Sequence, residues 1–176
     1  MKNRKKEIIL GIDPGVASVG FGLIGLGVHS STSREPCLIT YGVIRTKAGQ
    51  SLAKRLEKIH QKLGEIIQKY RPTKIALEKI FFARNVKTAI QVGEARGVIL
   101  YTIIKKKIPL VEFTPLQVKM AITGYGQADK KQIQKMVKNI LKLKTIPQPD
   151  DAADALALAL TCLQIEKFNK KVINSK

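Results

Sequence analysis

Ile8-Ile9-Leu10-Gly11-Ile12-Asp13-Pro14-Gly15 is the stretch on which the reading of this chain turns. A short apolar run ends in a carboxylate and a Pro-Gly turn, the pattern of a buried strand and not of a helix. A charge in that position is not a solvated surface group. It has to be paired, protonated or bound to a cation, because desolvating it alone is costly. The wider apolar stretch, Ile8 to Val28, superficially resembles a signal peptide or a membrane span. Asp13-Pro14 and the six glycines at 11, 15, 20, 22, 25 and 27 argue against either. It reads as two strands, Glu7 to Ile12 and Val19 to Leu26, around a tight turn, with no targeting segment and no membrane partner expected.

Outward from that hairpin the pattern continues. A polar loop, His29 to Pro36, leads to a third strand, Cys37 to Arg45, completing an antiparallel meander. From Ser51 the period becomes helical: Leu52, Leu56, Ile59, Leu63, Ile66 and Ile67 recur with lysines between them. Arg71-Pro72 stops that helix, and Lys74 to Leu77 forms a short strand ending at Glu78. A long helix over Asn85 to Ile104 carries Gly93 and Gly97 four residues apart, a spacing that suits close approach of another backbone. Leu110 to Phe113 is a final strand. Helices follow over Pro115 to Ile122, over Lys130 to Leu143 with Asp129 as N-cap, and from Asp150 to about Glu166. In the second of these, Ile133, Met136, Val137, Ile140 and Leu141 form the apolar face. The order implies an α/β fold, a mixed five-stranded sheet flanked by helices. It forms one domain over residues 1–166, with a basic, flexible tail at 167–176.

Composition bounds the function. The chain has 176 residues, 44% of them hydrophobic, enough to bury a core without staples. Cys37 and Cys162 form neither a zinc framework nor a secreted disulfide pattern, which points to a reducing, cytoplasmic setting. Lys and Arg number 32 against 13 Asp and Glu, a net charge of +19. A protein so basic usually meets a polyanion, most often nucleic acid.

In a chain so poor in acids, their placement is informative. Glu78 repeats the situation of Asp13, closing Ile75-Ala76-Leu77. For either acid alone, a salt bridge to one of the many lysines is the simpler account. Pro149-Asp150-Asp151-Ala152-Ala153-Asp154-Ala155-Leu156 adds a third element. Asp151 and Asp154, three apart, share one helix face, and Asp150 and Asp154, four apart, can share one too. Alanines between them let that face lie close to a sheet. Interaction with the helix dipole explains Asp150 and Asp151, but explains Asp154, a full turn in, less well. Hard oxygen donors from two strands and a helix suit Mg²⁺ or Mn²⁺, whereas His29 and His60 fall near no acidic motif. Two such ions would activate a water and stabilise the leaving oxygen in phosphodiester cleavage.

These segments, with Ala76-Leu77-Glu78-Lys79-Ile80-Phe81-Phe82 and Gly93-Glu94-Ala95-Arg96-Gly97-Val98, resemble the RuvC family of Holliday-junction resolvases. The motifs stand in the family's order and spacing over roughly Ile8 to Leu163. The resemblance implies an RNase H-like fold and a homodimer that binds branched DNA at a four-way junction. It also implies symmetric nicks leaving 5′-phosphate and 3′-hydroxyl ends, in recombination and repair, and it allows a branch-migration complex as partner. Asp13, Glu78, Asp151 and Asp154 match the family's metal-binding acids, with Ala152-Ala153 selecting Asp151 over Asp150. Two Mg²⁺ per site are implied, with Mn²⁺ as substitute. Phe81 matches an aromatic that stacks at the junction, and Lys119 and Lys130 match basic residues near the scissile phosphate. The loop at 25–36 is longer than the family pattern, and the chain is richer in lysine.

Three rivals remain. A sugar-kinase or actin-like ATPase also opens with a strand and an Asp-x-Gly turn, but the chain lacks a second phosphate loop and a second lobe. A non-catalytic junction-binding protein accounts for the charge without using the acids. A related RNase H-like nuclease could act on other branched DNA or on RNA.

Overall fold

A computed structural model describes residues 7–26, 35–79 and 86–174. Three strands lead the chain: β1 (Glu7–Asp13), β2 (Ser18–Leu26) and β3 (Pro36–Arg45). They pair antiparallel as the expected meander. After α1 (Leu52–Tyr70), β4 (Lys74–Glu78) joins β1 in parallel. After α2 (Val86–Lys105), β5 (Leu110–Phe113) joins β4 in parallel. The result is a mixed five-stranded sheet of order β3-β2-β1-β4-β5. Helices α3 (Pro115–Thr123), α4 (Lys130–Ile140) and α5 (Asp150–Asn174) complete the chain.

Local chemistry sets the helix ends. Ser51 caps α1, and Arg71 closes it in the left-handed region just before Pro72. Thr114 with Gln117, and Asp129 with Gln132, form reciprocal capping boxes at the starts of α3 and α4. Gly124 ends α3 at φ 72°, a conformation that suits glycine.

Strand alternation gives the sheet two different faces. Leu10, Ile12, Val19, Leu23, Ile75 and Leu77 point to one side. There they pack on Ile59, Leu63 and Ile67 of α1 and on Ala95, Ile99 and Ile103 of α2. Burying each such aliphatic side chain stabilises the fold by about 1.5–3 kcal/mol. The opposite face carries Ile9, Ile24, Ala76 and Phe113 and is covered by α5, with α3 and α4 against it. Gly11, Gly20 and Gly22 lie on this side, where a methyl group would overlap the Ala155 carbonyl, the Asp151 carbonyl and the Leu156 side chain respectively. With Ala152, Ala153, Ala155 and Ala159 buried in the helix, backbone meets backbone, and α5 lies directly on the sheet.

Two boundaries and one face differ appreciably from expectation. Helix α4 stops at Ile140, short of Leu143. The last helix continues to Asn174, past the expected end near Glu166. Residues Lys167 to Asn174 include no glycine or proline to stop it. On α4, Val137 and Leu141 are buried as expected, but Met136 is exposed and Gln134 is buried. The buried face therefore runs through Gln134, Val137 and Leu141. The loop at 25–36 lies mostly outside the described residues.

Candidate active site

Asp13 is the last residue of β1 and Glu78 the last of β4. Ile12 stands opposite Leu77 in the parallel ladder, so the two carboxylates leave neighbouring strand ends on the face covered by α5. The first turns of α5 run over those ends. Asp151 sits where its backbone meets Gly20, which is itself paired with Asp13. Asp154 follows one turn later, and Asp13, Glu78 and Asp154 line a common open cleft with Lys119, Pro115, Val118, Ile133, Ala157 and Leu158.

The electrostatics show how close these acids are. Burial first, then repulsion from Glu78, Asp154 and Asp151, pushes the Asp13 carboxyl from 3.8 up to about 8, with Lys130 opposing. Burial and the Asp154 charge raise Glu78. Burial likewise raises Asp154, against the pull of Lys130. The Lys130 ammonium lies 2.9 Å from Asp154 Oδ2 and 3.4 Å from Asp150 Oδ2. Its burial lowers its own pKa, but the bonds to those two acids outweigh that and raise it overall.

Four of the expected acids are thus gathered with Lys119 and Lys130. Phe81 lies outside the described residues. Asp150, set aside for Asp151 in the sequence reading, pairs with Lys130, and one participant escaped that reading: Gln134, whose amide donates to Asp150 Oδ1 at 3.0 Å. The available signal for Gln134 was its helical spacing with Val137 and Leu141, three and seven residues on, which are also buried.

Among the described residues, no three acidic, histidine or cysteine side chains already converge tightly enough to enclose one ion. Lys130 provides the positive charge in this arrangement. Even so, the acids as a group are under-neutralised, and their donors are all hard oxygens, so the set fits a divalent cation.

The sequence matches the family described as Crossover junction endodeoxyribonuclease RuvC over residues 9–162. The chain belongs to the RuvC family. Crossover junction endodeoxyribonuclease RuvC of Thermosipho melanesiensis is 52% identical over 158 residues, covering 90% of this chain and 97% of that protein. The Thermus thermophilus RuvC structure superposes with a TM-score of 0.83 at 33% identity, covering 92% of this chain and 96% of that one. A second structure of the Thermus protein, in complex with Holliday junction substrate, gives 0.81 at 31% identity, with the same coverage. The RNase H-like fold expected from the resemblance is therefore present. RuvC membership makes the chain an endonuclease of crossover-junction DNA that depends on a divalent metal. No helix among the described residues is long and apolar enough to cross a membrane.

Proposed function

We propose that Asp13, Glu78, Asp151 and Asp154 hold two divalent ions, Mg²⁺ with Mn²⁺ as substitute, and that this cleft nicks Holliday junctions symmetrically. The observation that carries the reading is the convergence of Asp13, Glu78 and Asp154 on one open cleft, with Asp151 one turn away on the same helix, in a chain of net charge +19. Carboxylates assembled at such cost, in so basic a protein, have a purpose once cations sit between them. When bound, the ions activate the attacking water and stabilise the leaving oxygen. Lys119 at the cleft wall and Lys130 beside Asp154 meet the phosphate and offset the charge it develops. Phe81 stacks at the junction. Residues 1–166 act as one nuclease domain, and the cuts leave 5′-phosphate and 3′-hydroxyl ends in the course of recombination and repair.

Paired cuts require two such clefts, hence a homodimer, and α2 supports one. Gly93 and Gly97 have open space where side chains would extend, so they do not serve packing within the chain among the described residues. Ile90, Tyr101 and Ile104 are exposed at matching helical intervals. An apolar face with small residues at its centre suits close approach of a second copy.

Cleavage of a labelled synthetic four-way junction with Mg²⁺, beside a linear duplex of the same sequence and an RNA duplex, tests the reading. Paired symmetric nicks on the junction alone support it. Cutting of RNA or of linear duplex at a comparable rate would replace it with a related nuclease. Binding without cutting in both Mg²⁺ and Mn²⁺ would leave a junction-binding protein.

A further inference from the structure

The described residues contain three buried polar or charged side chains: Thr102, Gln134 and Thr161. Both threonine hydroxyls donate to the carbonyl four residues back, at Val98 and Ala157, and Thr102 also meets His60 of α1, away from the acids. Gln134 differs. Its amide reaches from α4 across to α5 and donates to Asp150 Oδ1 at 3.0 Å. A buried amide is costly to leave unpaired, so this bond fixes one oxygen of Asp150. The other oxygen faces the Lys130 ammonium at 3.4 Å. Lys130 and Gln134 stand four apart on α4, and Asp150 and Asp154 stand four apart on α5. Each pair therefore shares a helix face, and the two faces meet with Lys130 between the two aspartates.

Lys130 consequently has two anionic neighbours with different futures under the metal-site reading. Asp154 gives its charge to a metal ion. Asp150 is anchored through Gln134 and keeps its charge for the lysine. We propose that Asp150, held by Gln134, is the positioning residue for Lys130, keeping its ammonium beside Asp154 once that acid is engaged. The inference rests on the metal-site reading and extends it by two residues. Asp150 then acts on the reaction only through Lys130 and contributes no metal ligation. Its pair with Lys130 is half exposed, as both side chains are about half accessible, and exposed pairs contribute little to stability. Loss of Asp150 also leaves the buried Gln134 amide without this partner, at a cost in stability, so its role is read from the rate per folded molecule and not from the melting temperature.

The experiment compares Asp150→Ala, Lys130→Ala and the double variant in single-junction cleavage, with Asp13→Asn as a control. Asp150→Ala should lower kcat roughly ten- to hundredfold, with KM for the junction nearly unchanged. Asp150→Glu, which retains the charge, should recover much of that loss. In the Lys130→Ala background, Asp150→Ala should add nothing. Calorimetric titration of Mn²⁺ into the DNA-free Asp150→Ala protein should match the wild type. Gln134→Met should show a weaker form of the Asp150→Ala defect, and if it fails to fold, the Asp150 and Lys130 cycle decides alone. An unchanged kcat in Asp150→Ala overturns the proposal, as does a loss that repeats in full on top of Lys130→Ala. Loss of Mn²⁺ binding in Asp150→Ala would make that residue a ligand and overturn it equally. Cutting retained by Asp13→Asn, by contrast, would defeat the metal-site reading itself.

Discussion

The two faces of the sheet are built on opposite plans. Towards α1 and α2, long aliphatic chains such as Leu10, Ile12, Ile59, Leu63 and Ile99 fill the space between helix and strand. Towards α5, the strands present Gly11, Gly20 and Gly22, and the helix presents alanines and its own backbone. The first face can absorb a lost methylene at a cost in stability, because side chains adjust. The second has little to adjust: the height of α5 over the strands is set by backbone contact. Asp151 and Asp154 ride on that helix, and Asp13 and Glu78 on the strands beneath it. One face is chiefly a source of stability, the other a positioning device.

The largest test of this contrast is chemical. Glu78→Gln or Asp154→Asn should lower junction cleavage by at least about a hundredfold while junction binding persists, measured by cleavage and gel shift in parallel. Substitutions that touch no acid come next. Gly20→Ala places a methyl against the Asp151 carbonyl and should cost about 1–3 kcal/mol. It should also depress cutting per folded molecule, because the helix that carries Asp151 and Asp154 must lift. Leu63→Ala, at a fully buried position on the other face, should cost about 2–5 kcal/mol and leave cutting per folded molecule unchanged. Equal loss of cutting in both variants would erase the distinction between the faces.

A smaller effect is thermodynamic. Folding raises the Asp13 carboxyl from 3.8 to about 8, so the folded state disfavours its charged form. That penalty is absent below the unfolded value, grows as pH rises between the two, and is fully present above the folded one. Asp13→Asn removes it. Without metal, the variant should melt higher than the wild type at pH 8, with the difference shrinking towards about pH 5; each kcal/mol is worth roughly 2–4 °C in a chain this long. Smallest of all, Lys119→Ala should weaken junction binding at every sequence and reduce the slope of log affinity against log salt by about one.

Much of this was legible from residue pattern alone, and the reasons are local. Apolar runs and turn residues placed all five strands. Arg71-Pro72 placed the end of α1 and Asp129 the start of α4, whereas no local residue marked the true ends of α4 and α5. Asp13, Glu78 and Asp154 stood out because each is an acid inside an apolar run. What escaped depends on contacts between distant segments. The glycines of β1 and β2 read only as poor helix formers, because nothing local shows that Gly20 would meet Asp151, 131 positions later. Nothing in its own chemistry marked Gln134, whose partner Asp150 lies on another helix. Met136 shares the helical period of the apolar residues but is exposed, because the buried face passes through Gln134 instead. The spacing of Gly93 and Gly97 suited either packing within the chain or contact with a second copy, and only the fold shows that nothing described within the chain fills the space.

Binding of Mn²⁺ to the DNA-free protein, followed by calorimetry in the wild type and in Asp13→Asn, tests the central claim most directly. The four carboxylates at the α5 face should give the wild type saturable binding that Asp13→Asn loses or weakens at least about tenfold. Indistinguishable titrations in the two proteins would mean that the acids gathered under α5 do not hold the metal.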